Sequence, residues 1–153
     1  MDKLKIKGIV ELTIRDKNGK VRDHSVIENA TMNAALAVFS GLIGATGAQT
    51  AFTYLGLGTS NTAVAASQTT LGAEISTLGL QRASATVSRT TTNQTNDTLQ
   101  LTKTFTATGS ISVEEVGYFN AASSGVMGGR ALTTTKSLVN GETLTVTYKI
   151  IFS

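Results

Sequence analysis

Near the C-terminus, apolar and polar residues alternate. Leu144, Val146, Tyr148, Ile150 and Phe152 fall on one side, and Thr143, Thr145, Thr147 and Lys149 fall on the other. Successive side chains of a strand point to opposite faces, so this pattern predicts a half-buried strand with one apolar face and one threonine-coated face. Burying the five apolar side chains is worth about 8–15 kcal/mol before conformational entropy, as an upper bound. Such a strand left open would template aggregation, so it is expected to lie paired inside a sheet with its apolar face covered.

The same period recurs upstream. Ile6 to Ile14 and Lys20 to Ile27 read as the arms of a hairpin, joined through Asn18-Gly19, a pair in which both residues tolerate positive φ. Phe52 to Leu57 reads as a short strand ended by a turn at Gly56-Leu57-Gly58-Thr59. A long small-residue loop follows from Ser60 to Thr70, anchored at its far end by Leu71 to Glu74. Gln81 to Ser88 and Thr98 to Ala107 form a second hairpin with a polar tip over Thr90 to Asp97. Ile111 to Phe119 alternates through Val113 and then slips phase at Glu114-Glu115, the mark of a β-bulge. A turn over 120–129, a strand from Arg130 to Thr135 and a second Asn-Gly turn at Asn140-Gly141 lead into the last strand.

One segment changes period. Met32, Leu36, Phe39 and Ile43 recur at helical spacing among alanines, predicting a short α-helix around residues 30–43, capped by Asn29 or Thr31 and stopped at Gly44. Its apolar stripe is expected to face the core. The chain as a whole reads as mainly β: a single-domain antiparallel β-sandwich, jelly-roll-like, with a basic hairpin over 1–28, the helix over 29–44 and the main sheets over 52–153.

Charge alters this picture at one end only. The net charge is +3, but Lys3, Lys5, Lys7, Arg15, Lys17, Lys20 and Arg22 give residues 1–22 a balance of +4, leaving −1 for the rest. Such a segment can dock on an acidic surface, or it can be a solvated hairpin face. No aromatic residue is interleaved with these charges, so a single-strand platform is not expected, and nucleic acid is not among the expected partners. No stretch approaches the ~20 apolar residues of a membrane span, and alternating lysines occupy the place of a signal peptide, so neither a membrane partner nor secretion is expected.

Candidate chemistry is sparse. There is no Cys, which excludes disulfides and thiol chemistry, and the one histidine, His24, stands alone on a strand arm. Glu114 and Glu115 are neighbours on a strand and point to opposite faces, so they are not an acid–base pair. Gly56 and Gly58 lack the spacing of a phosphate cradle. No cofactor, no metal and no catalysis are expected.

The motifs in order run Glu28-Asn29-Ala30-Thr31-Met32-Asn33, then Tyr54-Leu55-Gly56-Leu57-Gly58-Thr59-Ser60-Asn61-Thr62-Ala63, Leu71-Gly72-Ala73-Glu74 and Arg82. Glu114-Glu115-Val116-Gly117-Tyr118-Phe119-Asn120-Ala121, Gly128-Gly129-Arg130-Ala131 and Asn140-Gly141-Glu142-Thr143-Leu144-Thr145-Val146 complete the series. Over nearly its whole length the chain resembles a group of small structural proteins encoded among the virion genes of tailed phages and related viruses. It departs from that group in lacking a proline after Gly-x-Gly-Thr, where Ala63-Val64-Ala65-Ala66 stands instead. The resemblance implies a non-enzymatic virion component, assembled in the host cytoplasm: a capsid decoration protein on the outer face of the shell, or a tail tip or fibre protein that recognises a host-surface glycan. It implies the major capsid protein or another virion protein as partner, with the seven basic residues of 1–22 as candidate docking contacts. Self-assembly is expected too, and a trimer would match a shell with three-fold positions.

Overall fold

The C-terminal strand lies at the middle of a sheet. The computed structural model describes residues 3–153. In sequence order its elements are β1 (Ile6–Arg15), β2 (Val21–Glu28), β3 (Ala30–Thr31), α1 (Asn33–Ile43), β4 (Tyr54–Gly58), β5 (Ala83–Ser84), β6 (Thr86–Thr90), β7 (Thr98–Thr106), β8 (Ile111–Phe119), β9 (Met127–Leu138) and β10 (Thr143–Phe152). They form two antiparallel five-stranded sheets, ordered β2-β1-β10-β7-β6 (sheet A) and β3-β9-β8-β4-β5 (sheet B). First and last long strands pair along their whole length, from Ile6 opposite Phe152 to Arg15 opposite Thr143.

The sheets face each other across one apolar layer. Val10, Leu12 and Ile14 of β1, Leu101 and Phe105 of β7, and Leu144, Val146, Tyr148 and Ile150 of β10 meet Leu55, Leu57, Val113, Val116, Tyr118 and Leu138 from sheet B in one cluster. Tyr148 and Tyr118 meet across this layer edge to face, with ring centroids 4.8 Å apart. The alternation read from the sequence therefore has a direct cause: its apolar half is the inner face of sheet A. The expected β-sandwich is what the structure shows.

Several local expectations need correction. The helix buries Ala35, Val38 and Phe39 together with its N-cap residue Met32, while Leu36 and Ile43 are exposed. Both stripes of the helix are apolar, so the 3.6-residue period alone did not select between them. Neither Asn29 nor Thr31 caps it; Met32 holds the N-cap position without a side-chain bond. Ala30 and Thr31 are drawn instead into sheet B, where they pair with Arg130 and Gly129, and the Asn29 N–H donates to the Gly8 carbonyl of β1 at 3.1 Å. The helix does stop at Gly44, but the left-handed residue is Ala45, with φ 48°.

Gly56 and Gly58 do not form a turn; they lie inside β4, paired with Gly117 and Glu115. A Cβ at Gly58 would collide with the Glu115 side chain, so glycine is required there to admit that carboxylate. The run Gln81 to Ser88 is divided: Ala83–Ser84 belongs to sheet B and Thr86–Thr90 to sheet A, so the chain changes sheets at Ala85. β9 begins at Met127, earlier than the expected strand, and the preceding turn closes on Asn120, whose side-chain oxygen accepts the Val126 N–H at 2.7 Å. Both Asn-Gly turns form, with only the glycine left-handed: φ is 84° at Gly19 and 88° at Gly141. At the first, Asp16 Oδ1 accepts the N–H groups of Asn18 and Lys20, which holds the loop without a left-handed asparagine.

Candidate functional site

The outer face of sheet A collects the polar half of the alternation. Thr13, Thr145 and Thr104 stand in one row across three strands, and Thr147, Thr102 and Thr86 stand in the next. Thr143 and Thr106 face each other at the end of the same two strands. Neighbouring strands lie about 4.8 Å apart, so the hydroxyls form a close array. Some pair with one another, as Thr104 does with Thr145 at 2.8 Å.

Several of the charges bordering this array are paired, while Arg15, opposite Thr143 at its end, has no carboxylate partner among the described residues. Lys149 reaches Glu11 at 2.8 Å, with His24 4.0 Å from the same carboxylate, and Lys7 reaches Glu28 at 2.7 Å. The seven basic docking candidates do not form one patch. Lys3 and Lys5 lie where the chain enters β1; Lys5 and Ser153 exchange two backbone hydrogen bonds there, tying the N-terminal segment to the chain's end. Arg15, Lys17 and Lys20 cluster at the hairpin turn, a ten-residue strand or about 30 Å away. Arg15 spends a donor on the Gly19 carbonyl at 3.1 Å. Arg22 turns away to grip Glu142 through two bonds, at 2.9 and 2.8 Å, and the Ser137 carbonyl. The Arg22 guanidinium holds the Glu142 carboxyl below its ordinary range. Sequence spacing placed these residues on one hairpin; the length of its arms separates them.

Compared with protein-family models, curated proteins and solved structures, the chain matches none. Its own geometry therefore carries the functional reading.

On sheet B the register shifts between Val113 and Glu115, but the surplus residues lie on β9, where Thr133, Thr134 and Thr135 stand against Glu114 alone, so the extra residue expected in β8 belongs to its partner strand. Glu114 is solvent-facing and accepts the Thr135 hydroxyl at 2.9 Å. Glu115 is fully buried against Arg130 at 2.6 Å. Its carboxylate also accepts the N–H groups of Gly72 at 2.9 Å and Ala73 at 2.8 Å, while Arg130 Nη1 donates to the Thr62 carbonyl at 2.9 Å and Gln68 Oε1 at 3.0 Å. This pair ties the long loop to the sheet at several points, and Leu71 anchors the loop's far end as expected. No sequence signal singled out Arg130, because a buried arginine on a strand has no periodic signature.

Arg82 makes a second such tie. Its guanidinium lies 3.5 Å from the Phe119 ring centroid, pairs with Glu74 at 2.6 Å, and donates to the carbonyls of Ala121 and Ser124. Beside it opens a surface cleft of about 440 Å³ whose rim includes Glu74, Ser76, Gln81, Ser123 and Ser124. The polar tip between β6 and β7 is organised by Asp97, whose carboxylate accepts the N–H groups of Gln94, Asn93 and Thr92, each at 2.8 Å. Those bonds hold its carboxyl far below the usual range. Among the described residues no three of His, Cys, Asp and Glu converge, and no helix is long and apolar enough to cross a membrane.

Proposed function

We propose that this chain is a non-enzymatic structural protein of a virion that binds the outer face of a capsid shell. The observation that carries the reading is the threonine face of sheet A. A face of hydroxyls whose central charges, Lys149 and Glu11, are already paired can be laid against another protein without leaving that pair's ions unpaired and buried. The solvent-facing cations at the two ends of the β1–β2 hairpin flank that face, and they suit steering toward an acidic shell more than they add affinity. The reading rests further on the sequence resemblance to small virion proteins, and with it goes assembly in the host cytoplasm.

The decisive measurement is copy number per particle, by quantitative mass spectrometry of purified virions against the major capsid protein. Hundreds of copies support the decoration role. A few to a few dozen overturn it in favour of the tail.

A second reading is favoured by one observation. The cleft beside Arg82 lies against the loop after β8, and its rim offers a carboxylate, an amide and hydroxyls, the groups that hydrogen-bond a sugar. A tail tip or fibre protein recognising a host glycan would use it. Phe119, the nearby aromatic, is covered by Arg82 and unavailable for stacking on a ring, which weighs toward the capsid reading. Glycan binding abolished by Gln81→Ala and Ser123→Ala would reverse that order.

A further inference from the structure

α1 carries no charge, and neither does any residue between Glu28 and Glu74. Within that span, fifteen residues from Asn33 to Ala51 are exposed. A helix on a protein surface ordinarily turns charged and polar residues outward. This one turns outward Leu36, Ala37, Ser40 and Ile43, with Ile43 82 % and Leu36 53 % exposed. Residues 36, 40 and 43 fall at i, i+4 and i+7, the spacing of a helix–helix seam, and Ala37 and Ser40 are small enough for close approach. Beside the end of this ridge lies a groove of about 300 Å³, lined by Phe39, Leu42, Phe52, Val87, Leu99 and Phe152 and by Ile43 at its rim. The lining is wholly apolar apart from the threonine at position 53.

We propose that this end of the sandwich joins the chain to a second copy of itself across a two-fold axis, ridge against ridge, with each Ile43 entering the other copy's groove. Three observations select a second copy. A protruding apolar knob and an apolar socket lie side by side on one face, which is the self-complementarity that an isologous contact demands. The protein carries a net charge of +3, so two copies repel, and α1 with the segment to Ala51 adds no charge to the contact, Arg89 opposite Leu99 being the cation on its strand side. Four of the nine large apolar side chains that the described residues expose, Leu36, Leu42, Ile43 and Val87, also gather on α1 and this groove, the kind of patch that marks a protein contact. The contact stands independently of the virion role.

The test uses the whole chain in solution. Sedimentation velocity across a wide concentration range is expected to show a dimer. The exposed-site variants Leu36→Glu and Ile43→Asp are expected to shift it to monomer, with unchanged circular dichroism and melting temperature of the fold. Because the chain has no cysteine, Ser40→Cys gives a second and independent readout. Mild oxidation is expected to link it into a disulfide dimer, whereas Ser110→Cys, exposed at the opposite end of the sandwich, stays monomeric. A monomer at every concentration overturns the proposal, including one that binds particles through this face. A trimer, an oligomer that survives both charged substitutions, or equal cross-linking at positions 40 and 110 overturns it equally.

Discussion

The Glu115 carboxylate and the Arg130 guanidinium meet at 2.6 Å with neither side chain exposed to solvent. Two charges withdrawn from water cost more than their mutual attraction returns unless further hydrogen bonds satisfy them. Here those bonds come from the backbone of the long loop: Gly72 and Ala73 donate to the glutamate, and Thr62 accepts from the arginine. The ion pair and the loop therefore depend on each other. The glycine at 58 follows from the same pair, since any Cβ there would occupy the place of the Glu115 side chain.

Glu115→Gln should expose this dependence. It leaves the Arg130 charge buried and uncompensated, a change expected to cost about 3–5 kcal/mol of unfolding free energy. Denaturant titration measures it, and limited proteolysis should show earlier cutting between residues 60 and 70. A loss no greater than that of Glu114→Gln, which removes only a surface bond to Thr135, would contradict the assigned role.

A pair of glycines separates backbone conformation from space. Gly19 and Gly79 both have positive φ, at 84° and 79°, but a Cβ meets nothing at Gly19 and strikes the Thr106 carbonyl oxygen at Gly79. Gly19→Ala should cost about 1–2 kcal/mol, the left-handed penalty alone. Gly79→Ala should cost ~1–3 kcal/mol more from the forced displacement. Equal losses in thermal melts of the two variants would show that the segment around Gly79 yields freely.

How much of this was legible beforehand depends on how local each cause is. The β10 strand, the phase slip at Glu114-Glu115 and both Asn-Gly turns have causes within a few residues, and alternation or turn chemistry displayed them, whereas the surplus residues opposite Glu114 lie on β9 and left no mark on the alternation of β8. The helix was placed correctly, but not its rotation, because Ala35 and Val38 on one side and Leu36 and Ile43 on the other are all apolar; only contact with Phe52 and Phe152 decides which side turns inward. Gly56 and Gly58 looked like a turn because their requirement comes from partners distant in sequence, Glu115 and Phe119. Arg130 and Arg82 carry no local signal of their roles for the same reason: what they bind, from Thr62 to Ser124, is brought together by the fold alone. The basic hairpin was legible as a composition, yet two of its seven charges are paired within the chain, Arg22 with Glu142 and Lys7 with Glu28.

Acid should destabilise the fold through three carboxylates. Lys136 holds Asp23 down, Arg22 holds Glu142 down, and the tip N–H groups hold Asp97 down, against unfolded values of 3.8, 4.5 and 3.8. Each is depressed in the folded state, so its contribution is fully present above the unfolded value and is lost as pH falls through and below it. The melting temperature should be level near neutral pH and fall from about pH 4.5 downward. Asp97→Asn should flatten part of that slope. A melting temperature unchanged down to about pH 3 would contradict the depressed values.

Attachment to the shell, if the capsid role holds, should be salt-dependent through a definable subset of the basic residues. Lys3, Lys5, Lys17 and Lys20 face solvent at the two ends of the hairpin, whereas Lys7 and Arg22 are held by carboxylates of their own chain. Charge steering between exposed groups is screened beyond about 10 Å at 0.1 M salt. Replacing the four lysines by Gln should slow docking and remove most of its salt dependence in co-sedimentation with undecorated particles. Arg22→Gln should behave differently: it frees Glu142 and lowers stability, while the salt dependence of docking persists. Wild-type attachment that is indifferent to salt would take the lysines out of the docking surface and leave the threonine face of sheet A to act alone.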